Sequence, residues 1–462
     1  MNIRRHLIFL PLLLASLPGL PLLANYVLQR TRGAATPNNV CVVNNTGGAD
    51  LGAKVNACDA RLGTGMGEIR VSGGGMIATQ IRLSDNRVLR FSPGVYENSC
   101  TQTAIILGNN NTVTGAGHNV VIKESSYILQ ADSLRTPLAW TVIQTRTDYA
   151  EGKAGVTSNV RINSLKIQGH SSGTVHSTPQ TIALGNCHDC IIEDVWLNET
   201  RTIGIQAGGS SVSGNFAQNV TIRKNLFKGV GSQNIAVVNA QNVLIEENRV
   251  ITSGRSNKTS TQVIDVEPNA PSDRVNNIQI LRNLIDVRDS VIHSNNGITF
   301  QNTVGAQQTM PSRISGNTLI GGPHSHMSWM PVGISLAGRT TDIEISHNTV
   351  QGTSGPAFVF YHSGGGHTRP KVMNNRIINS GVGGGSSYAF EVGDTVGGVF
   401  TDNEIMHDLS VGGNGQVVEF GKSANTYRNT RYQSNIFGGL TLRPGSRQYG
   451  TVGNGVKTHP DR

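Results

Sequence analysis

The chain has 462 residues and a formal net charge of +9, yet only 15% of its residues are charged and 5% aromatic, while 56 are glycine. Disordered chains carry more charge and helical bundles more Leu, Ala, Glu and Lys, so both are excluded, and many short strands with Gly and Asn turns are favoured. The positive balance favours an anionic partner; with no run of Lys and Arg interleaved with aromatics, nucleic acid is set aside and an acidic polysaccharide is expected.

In chain order, residues 1–24 place Arg4 and Arg5 before a leucine-rich run broken by prolines. This is the pattern of a secretory signal peptide, which predicts a secreted or periplasmic protein. An uncleaved anchor is the alternative reading, because Leu22 and Ala24 make a poor cleavage site. No later segment reaches the roughly 18 apolar residues that span a bilayer. Residues 25–44 read as a linker. Residues 50–62 then place Leu51, Val55, Cys58 and Leu62 at helical spacing behind Asp50, a candidate N-cap. Five cysteines make an odd count. Cys41 and Cys58 are candidates to pair, whereas the "CHDC" stretch from Cys187 to Cys190 reads as two small residues packed in a turn, with no second CxxC to complete a zinc site.

From residue 219 onward one template recurs: NVTIRKNLF (219–227), NVLIEENRV (242–250), NIQILRNLI (277–285), SRISGNTLI (312–320), DIEISHNTV (342–350), KVMNNRII (371–378) and GVFTDNEIM (398–406). Each has alternating apolar residues, an asparagine, then another apolar pair. The asparagines are Asn225, Asn248, Asn283, Asn317, Asn348, Asn375, Asn403 and Asn435, spaced 23 to 35 residues apart. A third short strand precedes each template, among them TIALG (181–185), QVIDVEP (262–268) and GISLAGR (333–339). Such repetition describes an all-β fold, a right-handed parallel β-helix with three strands per coil and about 10–12 coils over residues 45–440, with the helix at 50–62 capping its first coil. Asparagine is expected to take the left-handed conformation in each turn and to bond its counterpart one coil away. Residues 441–462 lose the pattern and are expected to form a mobile tail.

With its opening "GADLGAKVNACDARL", the phrase "LRFSPGVYENS" and these Asn-punctuated coils, the chain resembles the pectin-lyase-like superfamily. The resemblance implies an extracellular or periplasmic protein acting on polysaccharides, with the substrate groove along the first strand of each coil. None of the familiar catalytic signatures of polygalacturonases, alginate epimerases or pectate lyases is present, so no catalytic residue carries over from a named family.

Keeping the aliphatics inward, the outward positions of that strand are Ala183 and Gly185, Gly204 and Gln206, Ala236 and Val238, Asp265 and Glu267, Thr299 and Gln301, Ser335 and Ala337, Val359 and Tyr361, then Glu391 and Glu419. Asp265 and Glu267 lie about 6.5–7 Å apart along a strand. That is the lower end of the roughly 6.5–9.5 Å at which an inverting glycosidase holds its acid and base, which makes this pair the leading catalytic candidate. A lyase acting on a uronate is the alternative, with His293, His324, His326, Lys258 or Tyr361 as base and Arg339, or a Ca²⁺ held by Asp265 and Glu267, neutralising the sugar carboxylate. No other cofactor is required. Candidate substrate-binding residues are Lys258, Arg288, Gln301, Trp329, Arg339, Tyr361 and His362. A uronan epimerase and a non-catalytic glycan-binding module remain as further readings, and the expected oligomeric state is monomer or trimer.

Overall fold

The computed structural model of the chain describes residues 39–125, 141–146, 155–170, 180–201, 203–209, 215–253, 261–288, 295–322, 330–361, 365–382 and 388–407, with short strands at 417–419, 424–428, 431–434, 447–449 and 455–458. The segment read as a signal peptide lies outside the described residues. Among those residues no helix is long and apolar enough to cross a membrane.

Alternating apolar residues separated by left-handed turns produce stacked coils. One sheet of thirteen strands contains the first strand of each coil, and a second of twenty-nine contains the other two. Twelve of the thirteen pair in parallel, and the last, Arg447–Tyr449, pairs antiparallel with Val417–Glu419. The strand Gly455–Thr458 likewise pairs antiparallel with Arg431–Ser434. Both belong to the stretch expected to be a loose tail, and both cover the edge of the last coils. In the larger sheet the second and third ladders fuse where single long strands, Arg161–Gln168 and Cys187–Asn198, bend at Ser164 and Asp194, with φ of 53° and 54°.

Inward side chains repeat coil after coil. Ile143, Ile182, Ile205, Ile235, Ile264, Ile298, Ile334, Phe358 and Phe390 oppose one another in register, all but Ile143 and Phe390 doing so on both sides, and all are buried. This stack is the core, and it fixes which face of each first strand turns outward.

The ladder asparagines are buried, and they are not the left-handed residues. The residue before each one takes positive φ: Lys224, Glu247, Arg282, Gly316, His347, Asn374 and Asp402. That kink frees the asparagine to bridge coils. Asn248 donates Nδ2 to Asn283 Oδ1 at 3.0 Å and to the Ile222 carbonyl at 2.9 Å, and the same pattern runs from Asn225 to Asn403. Asn435 lies outside the described residues.

The cap is the helix Leu51–Leu62. Asp50 Oδ1 accepts from Gly52 N–H at 2.8 Å and from Thr79 N–H at 3.0 Å, joining cap to first coil. A side chain at position 52 would meet the Thr79 carbonyl at 1.8 Å, so only glycine permits this approach. A disulfide between Cys41 and Cys58 ties the helix to the strand Asn39–Val42, which pairs with Gly67–Val71 and shows that the first coil begins inside the stretch read as linker. Cys187 and Cys190 are also bonded to each other, in place of the packed pair of thiols expected there.

Candidate active site on the thirteen-stranded sheet

The strand Thr261–Val266 sits in mid-helix between Ile235–Val237 and Asn295–Asn302. Ile264 and Val266 are fully buried in the core, so the pleat turns Asp265 outward. Register then builds a row across the sheet: Gln144, Ala183, Gln206, Ala236, Asp265, Thr299, Ser335, Val359 and Glu391. At the far end the residue opposite Glu391 is Val418 and not Glu419, which pairs with inward Val392; the outward position expected for Glu419 is one residue out of register. A second row lies one pleat further along: Glu267, whose N–H bonds the Val237 carbonyl, then Gln301 and Ala337 in register, and Tyr361, whose N–H bonds the Leu336 carbonyl.

Asp265 is 1% exposed, while Glu267 is exposed. Gln301 Nε2 donates to Asp265 Oδ1 at 3.2 Å and Gln233 Nε2 to Oδ2 at 3.4 Å. Burial pushes the Asp265 carboxyl well above the usual carboxylate range; the Glu267 charge beside it and a hydrogen bond between the two carboxyls add to this, against the opposing pull of the two amides. The pair is therefore a carboxyl dyad with one buried and one accessible member, and the buried one is the more disposed to hold a proton. It differs from the spaced acid and base expected from strand geometry: the Cα atoms are separated, but the carboxyls converge.

Among the described residues no group of three or more Asp, Glu, His or Cys is placed to hold a metal ion. Asp265 also fits a Ca²⁺ poorly, since N–H donors are aimed at both of its oxygens. Of the other expected residues, Arg339 is exposed in the turn leaving Ile334–Gly338, and Tyr361 is 38% exposed. Arg288 is exposed and ion-paired with Asp286 at 2.7 Å, which occupies its guanidinium locally. Lys258, His293, His324, His326, Trp329 and His362 lie outside the described residues. Gln233 was not singled out from the sequence; its signal is its place one coil upstream, just before Ile235–Val237. Glu124 was missed as well. It is 1% exposed, accepts from Arg201 N–H at 3.1 Å and from Thr181 Oγ1 at 3.2 Å, and burial pushes its carboxyl up to about 8.

No family model matches the chain, and no curated protein is similar to it in sequence. Solved structures do match. The A-module of a mannuronan C-5 epimerase from Azotobacter vinelandii aligns with a TM-score of 0.52 at 13% identity, covering 88% of this chain and 100% of that one. The catalytic unit of a GH87 α-1,3-glucanase from Streptomyces thermodiastaticus aligns at 0.50 and 17% identity, over 90% and 71%. A family 28 exopolygalacturonase from Yersinia enterocolitica aligns at 0.50 and 11% identity, over 80% and 75%. The chain shares with these structures the right-handed parallel β-helix fold. On this β-helix the dyad occupies the outward face of the first-strand sheet, flanked by small or amide neighbours coil after coil.

Proposed function

We propose that the protein is an exported polysaccharide-active enzyme that hydrolyses glycosidic bonds along the thirteen-stranded sheet. The observation that carries this reading is the carboxyl pair: a buried Asp265, its carboxyl pushed well above the usual carboxylate range, beside an exposed Glu267. The similarity of the fold to that of an α-1,3-glucanase and an exopolygalacturonase supports a polymeric sugar as substrate. The apolar segment at residues 1–24 supports export.

In this reading the two carboxyls share one proton and act as a single acid. Glu267, the accessible member, delivers the proton to the glycosidic oxygen, and Asp265 replenishes it. Because the two carboxyls act together as the acid, the base that activates water on the opposite side of the sugar is a third group; His293, His324 and His326 are the candidates for it. No cofactor is required. The acidic polymer expected from the net charge rests on that charge alone.

The test incubates the chain without residues 1–24 with a panel of neutral and uronate-containing polysaccharides, following reducing ends together with absorbance at 235 nm. New reducing ends without absorbance are expected, and Glu267→Gln should slow their release by at least about a hundredfold. Rising absorbance would instead mean β-elimination by a lyase. Altered uronate composition without chain shortening would mean an epimerase, and binding that survives both Asp265→Asn and Glu267→Gln without turnover would mean a glycan-binding module.

A further inference from the structure

Between the dyad and Tyr361 the outward positions change character. Thr299 and Ser335 follow Asp265 in the first row, and Gln301 and Ala337 follow Glu267 in the second. Ser335 Oγ donates to Thr299 Oγ1 at 3.0 Å, so these two hydroxyls are tied down against the sheet. Both residues are buried beneath the surface, so the accessible floor is low, made of the Gln301 amide and the Ala337 methyl group. At its far end stands Tyr361, a large and partly apolar side chain left 38% exposed. Burial and the Glu391 charge both push its phenol up, and Glu391 lies in the next coil, opposite Val359. The strip is thus bounded by Asp265 and Glu267 at one end and by Tyr361 and Glu391 at the other.

Glu267 and Tyr361 are three coils apart, about 14 Å at the roughly 4.8 Å spacing of neighbouring strands, the length of a short oligosaccharide of about three units. We infer that this strip binds an uncharged glycan segment lying along the helix axis, with Tyr361 as the stacking platform for the sugar ring farthest from Glu267. An apolar ring face over an exposed aromatic, with an amide and a small methyl group along the way, suits a pyranose chain. Carboxylates at both ends oppose a uronate lying between them. Arg339 is exposed in the turn that leaves the sheet and not on this floor. The inference rests on the reading of this face as the glycan site, and it adds the charge class and the reach of that site.

The experiment measures binding by calorimetry of neutral gluco-oligosaccharides of several linkages and of galacturonate oligomers, two to six units long, to the Glu267→Gln protein. The same series is repeated with Tyr361→Ala and Tyr361→Phe added, with thermal melts to show that each variant folds. Affinity for a neutral series should rise from two to about four units and then level off. Tyr361→Ala should weaken binding of the four-unit ligand about tenfold and that of the two-unit ligand much less, while Tyr361→Phe retains binding. Preference for galacturonate, affinity independent of length, equal binding by Tyr361→Ala, or no binding by any neutral series would each overturn the inference. Length-dependent neutral binding without cleavage by the unsubstituted protein would sink the hydrolase reading alone. Cleavage of neutral chains insensitive to Tyr361 would sink this one alone.

Discussion

Asp265 and Glu267 are two positions apart in sequence and nearly opposite in solvent access, and that asymmetry decides their chemistry. The buried member holds its proton because ionising it would place a second charge beside Glu267 in a site that water does not reach. Catalysis through the pair needs that proton, so the activity should fall as pH rises through the elevated Asp265 value, at a pH well above that of an ordinary carboxylate. Glu267→Gln and Asp265→Asn should each lower kcat by about 10²–10⁴, the usual share of general acid–base catalysis, with little change in melting temperature. Steady-state rates across a pH series, on whichever polymer is cleaved, check both statements. Glu124 offers a separate test at the same scale. Its carboxyl is raised from 4.5 to about 8 by burial, so between those values the folded state keeps a proton that the unfolded chain releases. The protein then binds more protons folded than unfolded, and its stability decreases as pH rises through that window, by up to about 1.4 kcal/mol per unit for one such group. Melting temperatures at pH 5 and pH 8 should therefore fall more steeply for the native sequence than for Glu124→Gln; equal slopes would mean that Glu124 is ionised in the fold.

At the scale of the elements, the asparagine ladder is where each coil is tied to the next. Asn283 accepts from the N–H and Nδ2 of Asn248, and donates Nδ2 to the Ile245 carbonyl and to Asn317 Oδ1. All of these groups are cut off from water, so Asn283→Ala leaves several partners unsatisfied at once and should cost roughly 2–4 kcal/mol. Denaturant unfolding measures it, and Asn283→Asp, which keeps only the acceptor, should fall between. The ladder positions were legible in the sequence because an amide recurring at one place in an apolar template needs hydrogen-bond partners there, and its counterpart in the next coil can supply them. The left-handed residue was not, since Lys224, Glu247, Arg282 and His347 share no side-chain chemistry that marks them. What they share is a place one residue before the asparagine. The same limit applies to the site. Period-two alternation put Asp265 and Glu267 on the correct face, but it measures Cα separation. It does not reveal the two amides that hold Asp265, Gln233 and Gln301, which come from neighbouring coils 32 residues before and 36 residues after it.

For the whole molecule, a stack of coils is held only by neighbours, so its ends decide whether the core stays covered. The cap is fastened in three ways: Asp50 bonds Thr79, Arg87 Nε donates to Asp59 Oδ1 at 2.6 Å from a fully buried position, and Cys41 is joined to Cys58 across a separation of 17 residues. A crosslink closing a loop of that size contributes about 3 kcal/mol by restricting the unfolded chain. Because each coil contacts only adjacent ones, replacing both cysteines with serine should loosen the N-terminal coils without disturbing the dyad some seven coils away. The expected outcome is a lower melting temperature and faster amide exchange over residues 39–71, with exchange over residues 261–302 and the catalytic rate left unchanged. Loosening would also uncover the edge of the strand Gly67–Val71, so light scattering on heating should rise earlier than in the native sequence. Uniformly faster exchange along the chain would show instead that the coils unfold as one cooperative unit and that the cap governs the whole stack.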